Sequence, residues 1–282
     1  MRFVIFIFCA TVLFGCESDW LDYSPADMYS ANIEFDDSDA PMRLNVAAVT
    51  ISSDQYDKAK TLASMEEMID SITAVHPDVQ VIEFGELILG WYYDASGEDY
   101  QRSIAETVPG PSTDFLLNLA VEKQVNIVFG MPELDSVTNA IYNAQVLIRN
   151  TGEILVYRKR NLNDLDITNG FSAGNEFVST NIDGVEVAMF ICSDMQSSII
   201  TEEMAESNAD VILQSVTSTT DMNASISYVG LQMNKWIVFA NRSGVEDDYL
   251  YTGFSHIINP AGTITDRVLG DHTYVYRSLG IY

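Results

Sequence analysis

Short apolar runs alternate with segments whose apolar residues recur at helical spacing, and this alternation restricts the chain to a small set of folds. Leu44-Asn45-Val46-Ala47-Ala48-Val49-Thr50 reads as a strand, as do Val79 to Phe84, Asn126 to Met131, Val185 to Cys192, Asp210 to Gln214 and Trp236 to Ala240. Asp54 to Val75 places Leu62, Met65, Met68, Ile69 and Ile72 along one helical stripe. Pro111 to Gln124, with Ser112 or Thr113 as caps, Ser198 to Asn208 and Ile226 to Lys235 read as further helices. Ala140 to Ile148 and Glu153 to Tyr157 form a strand pair turned at Asn150-Thr151-Gly152, and His256 to Ile258 and Thr263 to Val268 flank a turn at Asn259-Pro260-Ala261-Gly262. The pattern predicts a single α/β domain in which helices cover one or more sheets.

The amino terminus stands apart from this pattern. Arg2 is followed by an apolar stretch from Phe3 to Phe14, too short for a membrane span of about 20 residues. Leu13-Phe14-Gly15-Cys16 ends it with a small residue before a cysteine. Residues 1–16 therefore read as an export signal whose end resembles a bacterial lipobox, with Cys16 the lipidated residue; an ordinary cleaved secretory signal is the alternative. Residues 17–42 are rich in Asp and Glu and read as a solvated, flexible tether to a domain spanning 43–282.

Fourteen basic residues stand against 41 acidic ones, a net charge of −27. Such a surface repels phosphate backbones, so nucleic acid is excluded as a partner. His76, His256 and His272 lie scattered without metal-ligand spacing and read as structural, glycine-rich phosphate loops are absent, and no cofactor is expected. The Tyr92-Tyr93 pair after Trp91 reads as core packing, with lining a pocket as the alternative.

Three side chains of chemical interest each follow an apolar run. Val81-Ile82-Glu83-Phe84-Gly85 delivers Glu86, Ile154-Leu155-Val156-Tyr157-Arg158 delivers Lys159, and Met189-Phe190-Ile191 delivers Cys192. Sites in α/β sheets gather at the carboxyl ends of strands. A carboxylate can take the proton of a thiol and later activate water, and an ammonium lowers a thiol pKa and stabilises an oxyanion. Cys192 is the only cysteine beyond residue 16, so no internal disulfide competes for it. Taken singly, each of the three is an ordinary surface or core residue; their ordered combination points to a Glu–Lys–Cys hydrolase.

At these residues the chain resembles the carbon–nitrogen hydrolase (nitrilase-like) superfamily. The resemblance rests on Phe84-Gly85-Glu86-Leu87, Tyr157-Arg158-Lys159-Arg160-Asn161-Leu162 and Ile191-Cys192-Ser193-Asp194. Phe129-Gly130-Met131-Pro132-Glu133, Tyr142-Asn143-Ala144 and Ala240-Asn241-Arg242-Ser243-Gly244 support it. It implies a four-layer α-β-β-α sandwich that forms a homodimer through its outer helices. It also implies Glu86 as general base, Lys159 as oxyanion stabiliser, Cys192 as nucleophile and the backbone N–H of Ser193 as a second oxyanion donor. A second carboxylate after the lysine falls on Asp164 or Asp166. The implied substrate is a small molecule cleaved at a non-peptide C–N bond, and Asp194 two residues after Cys192 favours an amide over a nitrile. The membrane is then a partner only through the lipid on Cys16. Gly85 stands in place of a usual Pro, Ser193 in place of an aromatic residue, and the stretch around Gln232-Met233-Asn234 departs from the pattern. These departures motivate a second reading, a catalytically inactive binding or scaffold lipoprotein on the same fold.

Overall fold

The computed structural model describes residues 35–219 and 230–282. The export signal, Cys16 and most of the acidic stretch lie outside the described residues. Among the described residues, fourteen strands and five helices, besides the helical residues 230–233, follow one another in the order anticipated, with additions. One six-stranded sheet runs β14-β1-β2-β3-β4-β5 and a second runs β13-β12-β9-β8-β7-β6. The strands of the first are β1 (Met42–Thr50), β2 (Val81–Glu83), β3 (Asn126–Leu134), β4 (Ile141–Ile148), β5 (Ile154–Arg158) and β14 (Thr273–Ile281). Those of the second are β6 (Ser179–Ile182), β7 (Val185–Ile191), β8 (Val211–Val216), β9 (Trp236–Asn241), β12 (Phe254–Ile258) and β13 (Ile264–Leu269).

Alternation along the strands sends side chains to two faces, and the two buried faces meet. Val46, Ala48, Val81, Val128 and Leu147 of the first sheet pack on Val187, Met189, Ile191, Leu213 and Val238 of the second. The outer face of the first sheet is covered by α1 (Lys58–Val75) and α3 (Pro111–Lys123), through Met65, Ile69, Ile72, Leu116 and Leu119. The outer face of the second is covered by α5 (Ser198–Glu206) through Ile200 and Met204. The layers are thus α-β-β-α, as the resemblance implied. Near-continuous apolar runs such as Val185–Ile191 follow from burial on both faces.

Local chemistry sets the boundaries. α1 begins at Lys58 rather than at Asp54, because the Asp57 carboxylate accepts the Lys60 N–H at 3.1 Å and caps the helix. α3 begins with Pro111 at its first position, and Thr113 rather than Ser112 closes its start, accepting the Gly110 N–H at 2.7 Å. Of the helix expected over 226–235, residues 226–229 lie outside the described residues and residues 230–233 are helical.

Six elements escape the periodicity: β6, β14, the helices α2 (Glu98–Ile104) and α4 (Asp164–Thr168), and the hairpin strands β10 (Ser243–Glu246) and β11 (Tyr249–Thr252). All but β14 are too short for a period to register. β14 pairs along the whole of β1, from Met42–Ile281 to Thr50–Thr273, and its Val275, Leu279 and Ile281 face the inner core. The domain also starts before residue 43. Phe35 packs edge-on against Trp236 with ring centroids 5.3 Å apart, and the Asp37 carboxylate accepts the Gly280 N–H at 2.9 Å. The end of the acidic stretch is therefore part of the fold, since Phe35 and Asp37 find partners on β9 and β14.

Candidate functional site

Glu86, Lys159 and Cys192 come from three different loops at strand ends, and the fold brings them together. β2 ends at Glu83, and the chain turns through Gly85 into Glu86. Gly130 of β3 lies under this turn, where a Cβ would come within 2.7 Å of the Glu86 Cα. The turn is bonded across the sandwich to β8. Glu86 N–H donates to Val216 O at 3.2 Å, Ser215 Oγ to Phe84 O at 2.9 Å, and Thr217 Oγ1 to Glu86 O at 3.0 Å.

Lys159 follows β5, its N–H bonded to Asn143 O at 2.9 Å. Its ammonium sits 2.8 Å from Glu86 Oε1 and 2.7 Å from Asp166 Oδ2, with all three side chains sealed from solvent. Asn143 Nδ2 donates to Glu86 Oε1 at 2.7 Å and to Asp166 Oδ1 at 3.1 Å, closing a ring of four side chains. Glu86 Oε2 is buried and accepts no hydrogen bond among the described residues. Burial opposes the Lys159 charge, but Glu86, Cys192 and Asp166 more than offset it, and the ammonium is held well above its ordinary pKa. Of the two carboxylates that the sequence left open, Asp166 reaches the site. It sits in the short helix α4 (Asp164–Thr168), where it and Asn163 cap each other, whereas Asp164 is exposed.

Cys192 ends β7 and opens a short 3-10 helix, Cys192–Gln196. Its φ of +38° is unusual for a residue with a side chain and marks a sharp strand-to-helix turn. The thiol is half-buried. Burial pushes its pKa up, the Glu86 charge adds to this, and the Lys159 charge only partly opposes it. The direction is thus opposite to the one expected from the lysine alone, because two carboxylates stand beside the one ammonium. Ser193 is fastened on both sides, its Oγ donating to Asn161 O at 2.7 Å and its carbonyl accepting Asn161 Nδ2 at 2.6 Å.

Three further groups belong here. The Asp194 carboxylate accepts Arg160 N–H, Asn161 N–H, Ile191 N–H and the Tyr157 hydroxyl, tying the lysine loop to the cysteine turn. Asn143 and Gln145 are two buried amides in a strand that is otherwise mostly apolar, a pattern that itself signals buried polar tasks. Tyr92 is buried as expected and packs with Leu87, Ile141 and Phe171, and its hydroxyl also lies 3.0 Å from both Asp166 Oδ1 and Asn163 Oδ1, so the pair with Tyr93 is core packing that also borders the site. The missed hairpin is fastened to the Glu86 loop: Arg242 donates to Leu87 O and Gly90 O and pairs with Glu246, whose Oε2 accepts Tyr92 N–H and Tyr93 N–H.

The family model of the carbon–nitrogen hydrolases matches residues 45–273. A probable nitrilase of Schizosaccharomyces pombe is 26% identical over 229 residues, 79% of this chain and 83% of that protein. An (R)-stereoselective amidase of a Pseudomonas species is 25% identical over 210 residues, 72% of this chain and 74% of that protein. Among solved structures, Nit3 of Saccharomyces cerevisiae, a member of branch 10 of the nitrilase superfamily, has a TM-score of 0.77 at 21% identity, covering 86% of this chain and 91% of that one. A CN-hydrolase superfamily protein of Xanthomonas campestris with an arsenic adduct in its active site has a TM-score of 0.75 at 16% identity, covering 84% and 91%. The two structural likenesses speak for the fold, and the match over most of the chain speaks for descent: this protein belongs to the carbon–nitrogen hydrolase family, as an amidase-type hydrolase.

Proposed function

We propose that the protein hydrolyses a small-molecule amide or carbamoyl compound through a thioester on Cys192, with Glu86 as general base and Lys159 and the Ser193 N–H as oxyanion donors. The reading is carried by one observation: Glu86 has one oxygen tied to Lys159 and Asn143, while its other oxygen is buried and without a partner among the described residues. A buried lone pair left open beside a thiol is costly unless a proton is to be received there.

The steps follow from these groups. Glu86 takes the Cys192 proton as the sulfur attacks the carbonyl carbon. Two of the three N–H bonds of the Lys159 ammonium point at Glu86 and Asp166, and the third serves the developing oxyanion together with the Ser193 N–H. Protonated Glu86 then passes its proton to the leaving nitrogen, and ammonia or an amine departs. Water, deprotonated by Glu86, attacks the thioester, and collapse releases the acid and returns the proton to sulfur. Asp166, Asn143 and Tyr92 hold the ammonium and the base in register. The export signal and lipobox-like end at Cys16 support an envelope location, tethered by lipid, for this activity.

A panel of small amides and carbamoyl compounds, read by ammonia release, tests the proposal. The wild-type chain should turn over at least one of them and carry an acyl mass increment on the Cys192 peptide when quenched during turnover. Cys192→Ala should do neither while keeping its fold; hydrolysis retained in that variant would reject the mechanism.

A further inference from the structure

Around Cys192 the described residues offer many negative charges and tyrosines, and every cation there already stands against a carboxylate. Among the described residues, each cation on the loops that build the site is matched by a carboxylate: Lys159 by Glu86 and Asp166, Arg242 by Glu246, Arg160 by Glu203, Arg158 by Glu133 and Asp135. Next to the ammonium stands a run of aromatic rings. Lys159 Nζ lies 5.8 Å from the Tyr92 ring, whose centroid is 5.4 Å from that of Tyr93. Tyr93 is stacked on Tyr249 at 3.5 Å and 14° and lies 6.3 Å from Tyr251. Tyr249 is 43% exposed, so the run leads from the buried ammonium to solvent. Its proximity to the reacting atoms is also felt electrostatically: after burial and Tyr249, the charges of Cys192, Glu246 and Glu86 raise the Tyr93 pKa.

We propose that this site selects amides whose acyl part is uncharged, held against Tyr93 and Tyr249, and rejects amides that carry a carboxylate. A carboxylate on the substrate would meet Glu86, Asp166 and Glu246 across a low-dielectric space, with no unpaired cation among the described residues to receive it. An uncharged planar group loses nothing there and gains aromatic contact. The inference rests on Cys192 being the reacting atom and extends that reading to the substrate class.

The test uses two alkylating reagents of nearly the same shape, iodoacetamide and iodoacetate, on the full-length protein at alkaline pH. Labelling of the Cys192 peptide is followed by mass spectrometry, and each rate is divided by that of free 2-mercaptoethanol in the same buffer. The normalised preference for iodoacetamide should be at least about tenfold and should shrink as salt is raised. Tyr249→Arg, which places a cation on the exposed end of the run, should raise the iodoacetate rate severalfold relative to iodoacetamide. Equal normalised rates in the wild-type chain, or no response to Tyr249→Arg, would overturn the inference while leaving the nucleophile assignment intact. Failure of both reagents to label Cys192 would overturn the inference and the nucleophile assignment together. Selective labelling with no amide turned over would support the charge selection and reject the hydrolytic reading alone.

Discussion

The Asp194 carboxylate accepts the Asn161 N–H at 2.7 Å, so the turn that presents Cys192 and the loop that follows Lys159 are held by one side chain. Its two oxygens serve four donors, three of them backbone N–H groups. Asp194→Asn would turn an NH2 toward donors, losing bonds and opposing like to like. We expect a loss of about 2–4 kcal/mol in urea-induced unfolding and a fall in turnover, because nucleophile and oxyanion donor no longer share a frame. Unchanged stability would show that the loop and the turn are held by something else.

Lys159 stands between two sealed carboxylates. Lys159→Met removes an oxyanion donor and leaves Glu86 and Asp166 uncompensated. Turnover should fall roughly 10²–10³-fold or more, and stability by about 3–5 kcal/mol. Restored stability, but not turnover, is expected when Asp166→Asn is added, since one buried charge is then gone while the donor is still missing.

Gly130 is required by a close approach rather than by its backbone angles. A Cβ there would meet Leu87 N at 2.2 Å and the Glu86 backbone at 2.7 Å, none of which is a flexible side-chain end. Gly130→Ala should displace Glu86, costing about 1–3 kcal/mol of stability and a larger share of activity than of stability. Wild-type turnover in this variant would mean that the Glu86 position is not critical.

Glu83, three residues before Glu86, lies between the sheets. Gln145 Nε2 donates to its Oε1 at 3.0 Å, Ser215 Oγ lies 3.4 Å from the same oxygen, and its Oε2 has no partner among the described residues. Burial holds its pKa well above the ordinary 4.5. The folded chain thus keeps a proton that the unfolded chain releases. Its contribution to stability is complete below about pH 4.5 and is lost as pH rises through the folded value. Glu83→Gln keeps the shape and the acceptor, so it should grow more stable relative to wild type as pH climbs from 4.5 to 8. A pH-independent difference in Tm would show that the buried carboxyl is not held protonated.

Cys192 is pushed up from 9.0, by burial first and by Glu86 next. Alkylation by iodoacetamide should keep climbing through and beyond pH 9 instead of levelling off there. Glu86→Gln removes the second cause and should move the curve to lower pH. A wild-type plateau at neutral pH would instead mean a resting thiolate.

Much of the fold was legible because its strands are buried on both faces and its longer helices on one, so their apolar periods appear directly in the chain. The three side chains of the proposed site were legible for a related reason: each follows an apolar run, and such runs end where α/β sites gather. What sequence could not decide was pairing across the sandwich. The choice of Asp166 over Asp164 depends on which face of one helical turn meets Lys159. The roles of Asn143, Tyr92 and Asp194 depend on hydrogen bonds between segments far apart in sequence. The hairpin carrying Tyr249 and Tyr251 is too short to show a period and is set by Arg242 and Glu246 reaching the Glu86 loop. The direction of the Cys192 shift is likewise tertiary, because it depends on how many charges surround the sulfur and how little water reaches it. The order of apolar runs along the chain thus determined an α/β domain and the candidate residue types, and the family resemblance implied its four layers; distances between remote loops decided which side chains come together.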